Sequence, residues 1–236
     1  MGIVLLTTDT PHHIYYAREL SNHFNISGIA LEKYGVKPPF DIYHPFEDER
    51  DEYEQKQLLD NINESFDDYS KTLIFDNINN NDCFNYIADL EPEIIITFGT
   101  GLIKKPLIEL CPSGFLNLHG GDPQYYRGLD SHLWAIYHKD FSQLKVTLHR
   151  LNSVLDDGDL VEQASININK QSKLYELRSE NTKICVDLTI SALNKFYDKL
   201  NFESKVQKKV GRYYSFMPSV LKNICLVNFN KYVDVL

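Results

Sequence analysis

Asn117 and His119 stand two apart in the run FLNLHGGDPQYYRG, residues 115 to 128. On a strand that spacing sends both side chains to one face. A carboxamide and an imidazole placed together can act on one atom: the amide N–H stabilises a developing oxyanion, and the ring takes up or returns a proton. Gly120 and Gly121 follow at once, and glycines let backbone approach a ligand closely. Further on, Asp156 lies in the turn LDDGD. A carboxylate beside an imidazole fixes its tautomer and raises its pKa. Taken singly, a strand His also reads as a structural residue, and LDDGD as a polar hairpin turn.

These residues need elements to position them. The opening IVLLT is an apolar run of the kind a strand buried on both faces shows, and Pro11 after Thr-Asp-Thr predicts a helix from about 11 to 24. Strands are predicted over 26–31, 71–76, 93–99 and 115–119, with helical stretches near 82–90 and 104–110 between them. A helix over SHLWAIYHK, strands over 146–151 and 160–168, and a long amphipathic helix over about 173–200 follow. Alternation of strands and helices, with strands apolar on both faces, predicts a doubly wound, mainly parallel α/β sheet. One catalytic domain over 1–200 is expected, with 201–236 as a small C-terminal appendage. In such sheets ligands bind beyond the carboxyl ends of the strands, where Thr7 to Thr10, Gly99 to Gly101 and Asn117 to Gly121 fall. GTGLIK, residues 99 to 104, lacks the third glycine and the GK[ST] of a nucleotide loop.

Composition narrows the class. The 236 residues are 43% apolar and carry a net charge of −9. Residues 41 to 70 hold eleven acidic side chains against Arg50 and Lys56, and the remainder is balanced, so the acidity belongs to one predicted solvated helix over DERDEYEQKQLLDNINESF. No basic stripe suited to nucleic acid is present. No apolar window reaches ~18 residues, and the N-terminus shows no secretory pattern, so a cytoplasmic protein is expected. Cys83, Cys111, Cys185 and Cys225 are scattered, which suggests reduced buried thiols and neither a disulfide framework nor a zinc site.

FLNLHGGDPQYYRG, LWAI at 133 to 136, VTLHRL at 146 to 151 and LDDGDLVEQ at 155 to 163 together resemble the catalytic core of the 10-formyltetrahydrofolate-dependent formyltransferases. The resemblance spans about residues 93 to 168 and is nearest to the sugar-nucleotide N-formyltransferases. It implies Asn117, His119 and Asp156 as the catalytic trio, with no metal. It further implies a pterin pocket built from Phe98, Gly99, Leu102, Ile103, Lys104, Asn152, Val154 and Leu155. Two positions depart from the pattern: Pro123 comes one place early, and Lys145 stands where a Gly usually precedes Val-Thr.

The implied reaction moves a formyl group from 10-formyltetrahydrofolate to a primary amine. Only some 35 residues follow the long helix, which argues against the tRNA-gripping domain of methionyl-tRNA formyltransferases. TTDTPHHIYYARE and KKVGRYYSFMP look more like the enzymes acting on a nucleotide-linked amino-dideoxy sugar, dTDP-linked for preference, in O-antigen or other lipopolysaccharide synthesis. On that reading His12, His13, Gly120, Gly121, Arg127, Arg212, Tyr213 and Tyr214 would meet substrate. Lys205, Lys208, Lys209 and Phe216 are further candidates for the diphosphate and base, and the tail is a candidate homodimer contact. Surface histidines at a helix cap are the commoner reading of His12 and His13, and a loop brace is the favoured reading of Arg127. A glycinamide ribonucleotide transformylase-like enzyme, a formyltetrahydrofolate hydrolase and a silent folate-binding module are the alternatives.

Overall fold

The computed structural model describes residues 2–33 and 38–236. The chain runs β1 (Ile3–Thr7), α1 (Pro11–Ser21), β2 (Ile26–Glu32), α2 (Phe46–Gln57), β3 (Thr72–Phe75), α3 (Asn81–Asp89), β4 (Ile94–Phe98), α4 (Lys105–Ile108) and β5 (Phe115–His119). It continues through β6 (Tyr126–Gly128), α5 (Ser131–Tyr137), β7 (Lys145–Arg150), β8 (Leu160–Ser165), α6 (Leu177–Lys199), β9 (Arg212–Tyr214) and α7 (Ser219–Asp234). Seven strands form one sheet in the order β3-β2-β1-β4-β5-β7-β8. Pairing is parallel from β3 to β5 and antiparallel for β5–β7 and β7–β8. The expected mainly parallel α/β sheet is therefore present, with an antiparallel margin on one side.

Alternation along the strands feeds two apolar layers. Ile3, Leu5, Ile94, Ile96, Leu116 and Leu118 join one, with Tyr16 and Leu20 of α1 and Cys185 and Leu193 of α6. Val4, Leu6, Ile95 and Phe115 join the other, with Cys83 and Ile87 of α3 and Leu107 of α4. Helices thus cover both faces, and β1 and β4 are buried at every position, as central parallel strands require. Pro11 stands in the first turn of α1, and the Asn80 side chain caps α3 by accepting from Cys83 N–H at 2.8 Å. All four cysteines are buried and unpaired. Among the described residues no helix is long and apolar enough to cross a membrane.

Two expectations about local organisation change. The acidic helix expected through residue 66 stops at Gln57, because Asp60 and Asn61 adopt left-handed φ of 51° and 58°, a conformation these residue types tolerate. Nor is it solvated throughout: Glu54 is 0% exposed, and Arg178 Nε and Nη2 each donate to its carboxylate at 2.6 Å. A buried carboxylate survives only with such partners. The segment expected as an appendage, 201–236, is built into the main core. Cys225, Phe229 and Val233 recur at helical spacing on α7 and, with Phe202 and Met217, join the first apolar layer. β9 also pairs in parallel with β6.

Candidate active site

The site forms where the sheet changes from parallel to antiparallel pairing. β5 carries Phe115, Asn117 and His119 on one face, and antiparallel pairing with β7 sets His149 opposite Asn117 and Thr147 opposite His119. The β7–β8 loop then brings in Asp156. Its close return requires Gly158, where a Cβ would fall 1.6 Å from Arg150 O. Asp156 takes a left-handed φ of 50°, strain that a site of fixed geometry can sustain.

Each polar group has an assigned partner. Thr97 Oγ1–H donates to Asn117 Oδ1 at 2.6 Å, so the amide Nδ2 points away from β4. That Nδ2 donates to His149 Nε2 at 3.0 Å and faces Asp156 Oδ1 at 3.5 Å. His149 Nδ1–H donates to Arg150 O at 2.8 Å, which leaves Nε2 as the acceptor that Asn117 needs. His119 Nε2–H donates to Tyr126 O at 2.8 Å, and its Nδ1 lies 3.6 Å from Asp156 Oδ2. Gly128 N–H donates to the same carboxylate oxygen at 2.8 Å. Burial alone would raise the Asp156 carboxyl, but the charge of His119, helped by the Gly128 N–H, outweighs it and holds the group well below the usual carboxylate range.

A cavity of about 310 Å³ opens beside these groups. Its wall includes the trio and His149, and Phe98, Gly99, Leu102, Ile103, Asn152, Val154 and Leu155 of the expected pterin pocket. Lys104 stands outside that wall, its N–H donating to Asn79 Oδ1 at 2.7 Å. Of the expected substrate contacts, Gly120 and Tyr213 line the cavity and the rest do not. His12 and His13 are buried: His12 Nδ1 lies 3.4 Å from Glu54, and the His13 ring packs edge-on to Phe98 at 4.4 Å. Burial first, then neighbouring charge from Arg178 and, for His13, from His12, pushes both imidazoles far below their ordinary pKa. They are packed neutral rings here, neither lining the cavity nor lying on the surface as a cap would have them. Gly121 gives its carbonyl to Thr147 Oγ1–H at 2.6 Å. Arg127 braces the Asp156 loop, Nη1 lying 3.7 Å from Asp157 Oδ1.

Tyr214 stacks between Trp134 at 4.9 Å and Tyr126 at 5.5 Å, and the Arg212 guanidinium lies 5.3 Å from the Tyr214 ring. Lys145, one of the departures from the family pattern, anchors the loop after His119, its Nζ donating to buried Asp122 at 2.9 Å. Two positioning groups escaped the sequence reading. His149 was visible in VTLHRL, but its place depends on the β5–β7 register; Thr97 is one of many strand threonines until β4 is paired with β5.

Comparison with known proteins matches the geometry. The model of the Formyl transferase family matches residues 50–193. A methionyl-tRNA formyltransferase from Borrelia duttonii is 31% identical over 128 residues, which cover 52% of this chain and 40% of that protein. The chain thus spans less than half the length of that curated relative. Among solved structures, a sugar N-formyltransferase from Shewanella sp superposes with a TM-score of 0.61 at 13% identity, covering 97% of this chain and 87% of the other. An N-formyltransferase from Helicobacter canadensis, in complex with folinic acid and dTDP-3-aminofucose, gives 0.62 at 13% identity, covering 98% and 81%. At such identity the structural likeness concerns the fold. The family match takes in more than half of the chain, including β5, the β7–β8 loop and every member of the trio, and the chain belongs to the formyl transferase family.

Proposed function

We propose that this protein transfers a formyl group from 10-formyltetrahydrofolate to the primary amine of a nucleotide-linked amino-dideoxy sugar. The observation that carries the reading is the cluster of Asn117, His119 and ionised Asp156 on the wall of one cavity, each held by protein partners. The cavity suits a flat donor. Its volume reaches the range of small-molecule sites, and its wall offers Phe98, Leu102, Ile103, Leu151, Val154 and Leu155 as apolar surface.

The chemistry assigns roles. The amine nitrogen bonds to the formyl carbon, the bond from that carbon to the folate nitrogen breaks, and a proton passes from amine to folate nitrogen. Asn117 Nδ2 donates one N–H to His149, and the other, in a long 3.5 Å contact with Asp156 Oδ1, is the one that turns to the oxyanion of the tetrahedral intermediate. His119 is tied to Tyr126 O through Nε2, so Nδ1 is the end that moves a proton. Asp156 stabilises the imidazolium that results.

The sugar acceptor is supported by Tyr213 at the cavity wall and by likeness over nearly the whole chain to a protein solved with dTDP-3-aminofucose. A net charge of −9 is poorly suited to tRNA. Soluble synthesis in the cytoplasm, homodimer formation and a role in lipopolysaccharide O-antigen assembly are the wider parts of the same proposal.

Mass spectrometry tests it. The protein is incubated with 10-formyltetrahydrofolate and dTDP-linked 3-amino and 4-amino dideoxy sugars, glycinamide ribonucleotide, methionyl-tRNA or no acceptor. Formylation of one sugar nucleotide, lost in His119→Ala, is the expected result. Formate released without acceptor would replace the reading by a hydrolase, and formyl-methionyl-tRNA as the sole product would replace the acceptor.

A further inference from the structure

A second cavity opens on the other side of Gly120. It measures about 160 Å³ and lies among α2, α5 and α6, with Arg50, Asp130, His132 and Asn181 in its wall. Gly120 lines both this space and the cavity of the trio, so one residue without a side chain separates them.

Two hydrogen-bond acceptors meet there. Asn181 is 6% exposed; its Nδ2 reaches Cys185 Sγ at 3.7 Å, and its Oδ1 has no partner among the described residues. A buried amide oxygen is normally hydrogen-bonded, because burial strips away its water. His132 Nε2–H donates to Lys145 O at 2.6 Å, so the neutral ring presents Nδ1 as an acceptor. Burial, aided by the charge of His119, holds that ring neutral, its pKa lowered to about 4. A Cβ built on Gly120 would lie 3.2 Å from Asn181 Oδ1 and 3.6 Å from His132 Nδ1. Both acceptors therefore border the side of Gly120 where a side chain would crowd them.

The rest of the wall selects among donors. Arg50 is paired with Glu47 at 3.1 Å and Arg178 with Glu54 at 2.6 Å, so neither guanidinium is left over for a phosphate. Its volume equals that of about five waters, room for one edge of a sugar ring and not for a nucleotide. We propose that this cavity is a specificity subsite for the acceptor, in which a hydroxyl of the sugar that takes no part in the reaction donates its one proton to Asn181 Oδ1, and His132 Nδ1 accepts from a neighbouring hydroxyl. The amine of the same sugar then reaches Asn117 and His119 across Gly120. The proposal rests on the reading of a sugar amine as acceptor.

The test compares wild type, Asn181→Leu and Asn181→Asp with the dTDP-linked amino sugar that wild type formylates and with its analogue lacking one ring hydroxyl. Asn181→Leu raises the acceptor KM about tenfold while the KM for 10-formyltetrahydrofolate holds, and it abolishes the preference for the hydroxylated sugar. Asn181→Asp, which keeps an acceptor oxygen, restores both. Equal KM values and equal preference in all three proteins would overturn the subsite and assign the cavity to water. Should wild type formylate no sugar nucleotide, it is the activity reading that falls. The cavity is then judged by a crystal soaked in glucosamine: a hydroxyl on Asn181 Oδ1 sustains the subsite, and water alone overturns it.

Discussion

On the β1–β3 side of the sheet the strand ends open into a wide cleft of about 790 Å³, lined by Thr8, Asp9, Glu32, Lys33, Asp76 and the Gly99–Gly101 turn. On the β5–β7 side they close over a cavity of about 310 Å³. Both lie at the switch-point end where open α/β sheets bind ligands. They differ in what their polar groups do. In the wide cleft, Glu32 is spent on structure, accepting from Gly101 N–H at 2.7 Å and Ile78 N–H at 3.2 Å. In the narrow cavity, Thr97, His149, Tyr126 and Gly128 hold Asn117, His119 and Asp156 with their working atoms facing the space. Depth at a strand end thus does not by itself fix a constellation of polar groups. The antiparallel return of β7 supplies the second set of partners that pre-orients the proposed reacting groups.

The largest way to test this contrast is Asp156→Asn. It removes the negative charge beside His119 and should lower kcat/KM by about 10³-fold in the coupled formylation assay, with the fold retained by circular dichroism. Thr97→Val frees the Asn117 amide to rotate while leaving every reacting atom in place, and should cost about tenfold in kcat. Stability against pH sharpens the picture. His132 has a folded pKa of about 4 against an ordinary 6.5, so the unfolded chain binds the extra proton between those values. Stability is therefore full above pH 6.5 and falls as pH drops toward 4, with His12 and His13 adding in the same direction. His132→Gln should flatten the urea-midpoint profile by up to about 1.4 kcal/mol per pH unit. Asp9→Asn, in the open cleft, should change kcat less than about threefold. A loss comparable to that of Thr97→Val would show that the wide cleft is pre-oriented too.

The parallel half of the fold was legible because buried strands write themselves as apolar runs: IVLLT, EIIITFG and FLNLH each became a strand within a residue or two. The Asn117–His119 pair was legible from period-2 alternation, and Asp156 from its resemblance to a family pattern. What escaped depends on pairing across long sequence separations. The β5–β7 register, 32 residues apart at Asn117 and His149, makes His149 a neighbour of the site, and nothing local announces it. His12 and His13 looked available because a helix N-terminus faces the strand ends; the packing of Phe98 against His13, and of Glu54 against His12, closes that approach. The core role of the tail was readable in the four-residue recurrence of Cys225, Phe229 and Val233, a period outweighed by the aromatic run before it.

The three-residue pairing of β6 with β9 bears on how the molecule is made. Gly128, which donates its N–H to Asp156, lies opposite Tyr214, and Gln207 Nε2–H donates to the carbonyl of Asp156 itself at 2.9 Å. Asn117, His119 and Asp156 are all synthesised well before Gln207 and β9. The carboxylate loop therefore takes its fixed shape only once the chain has been made through β9 and has passed beside β6.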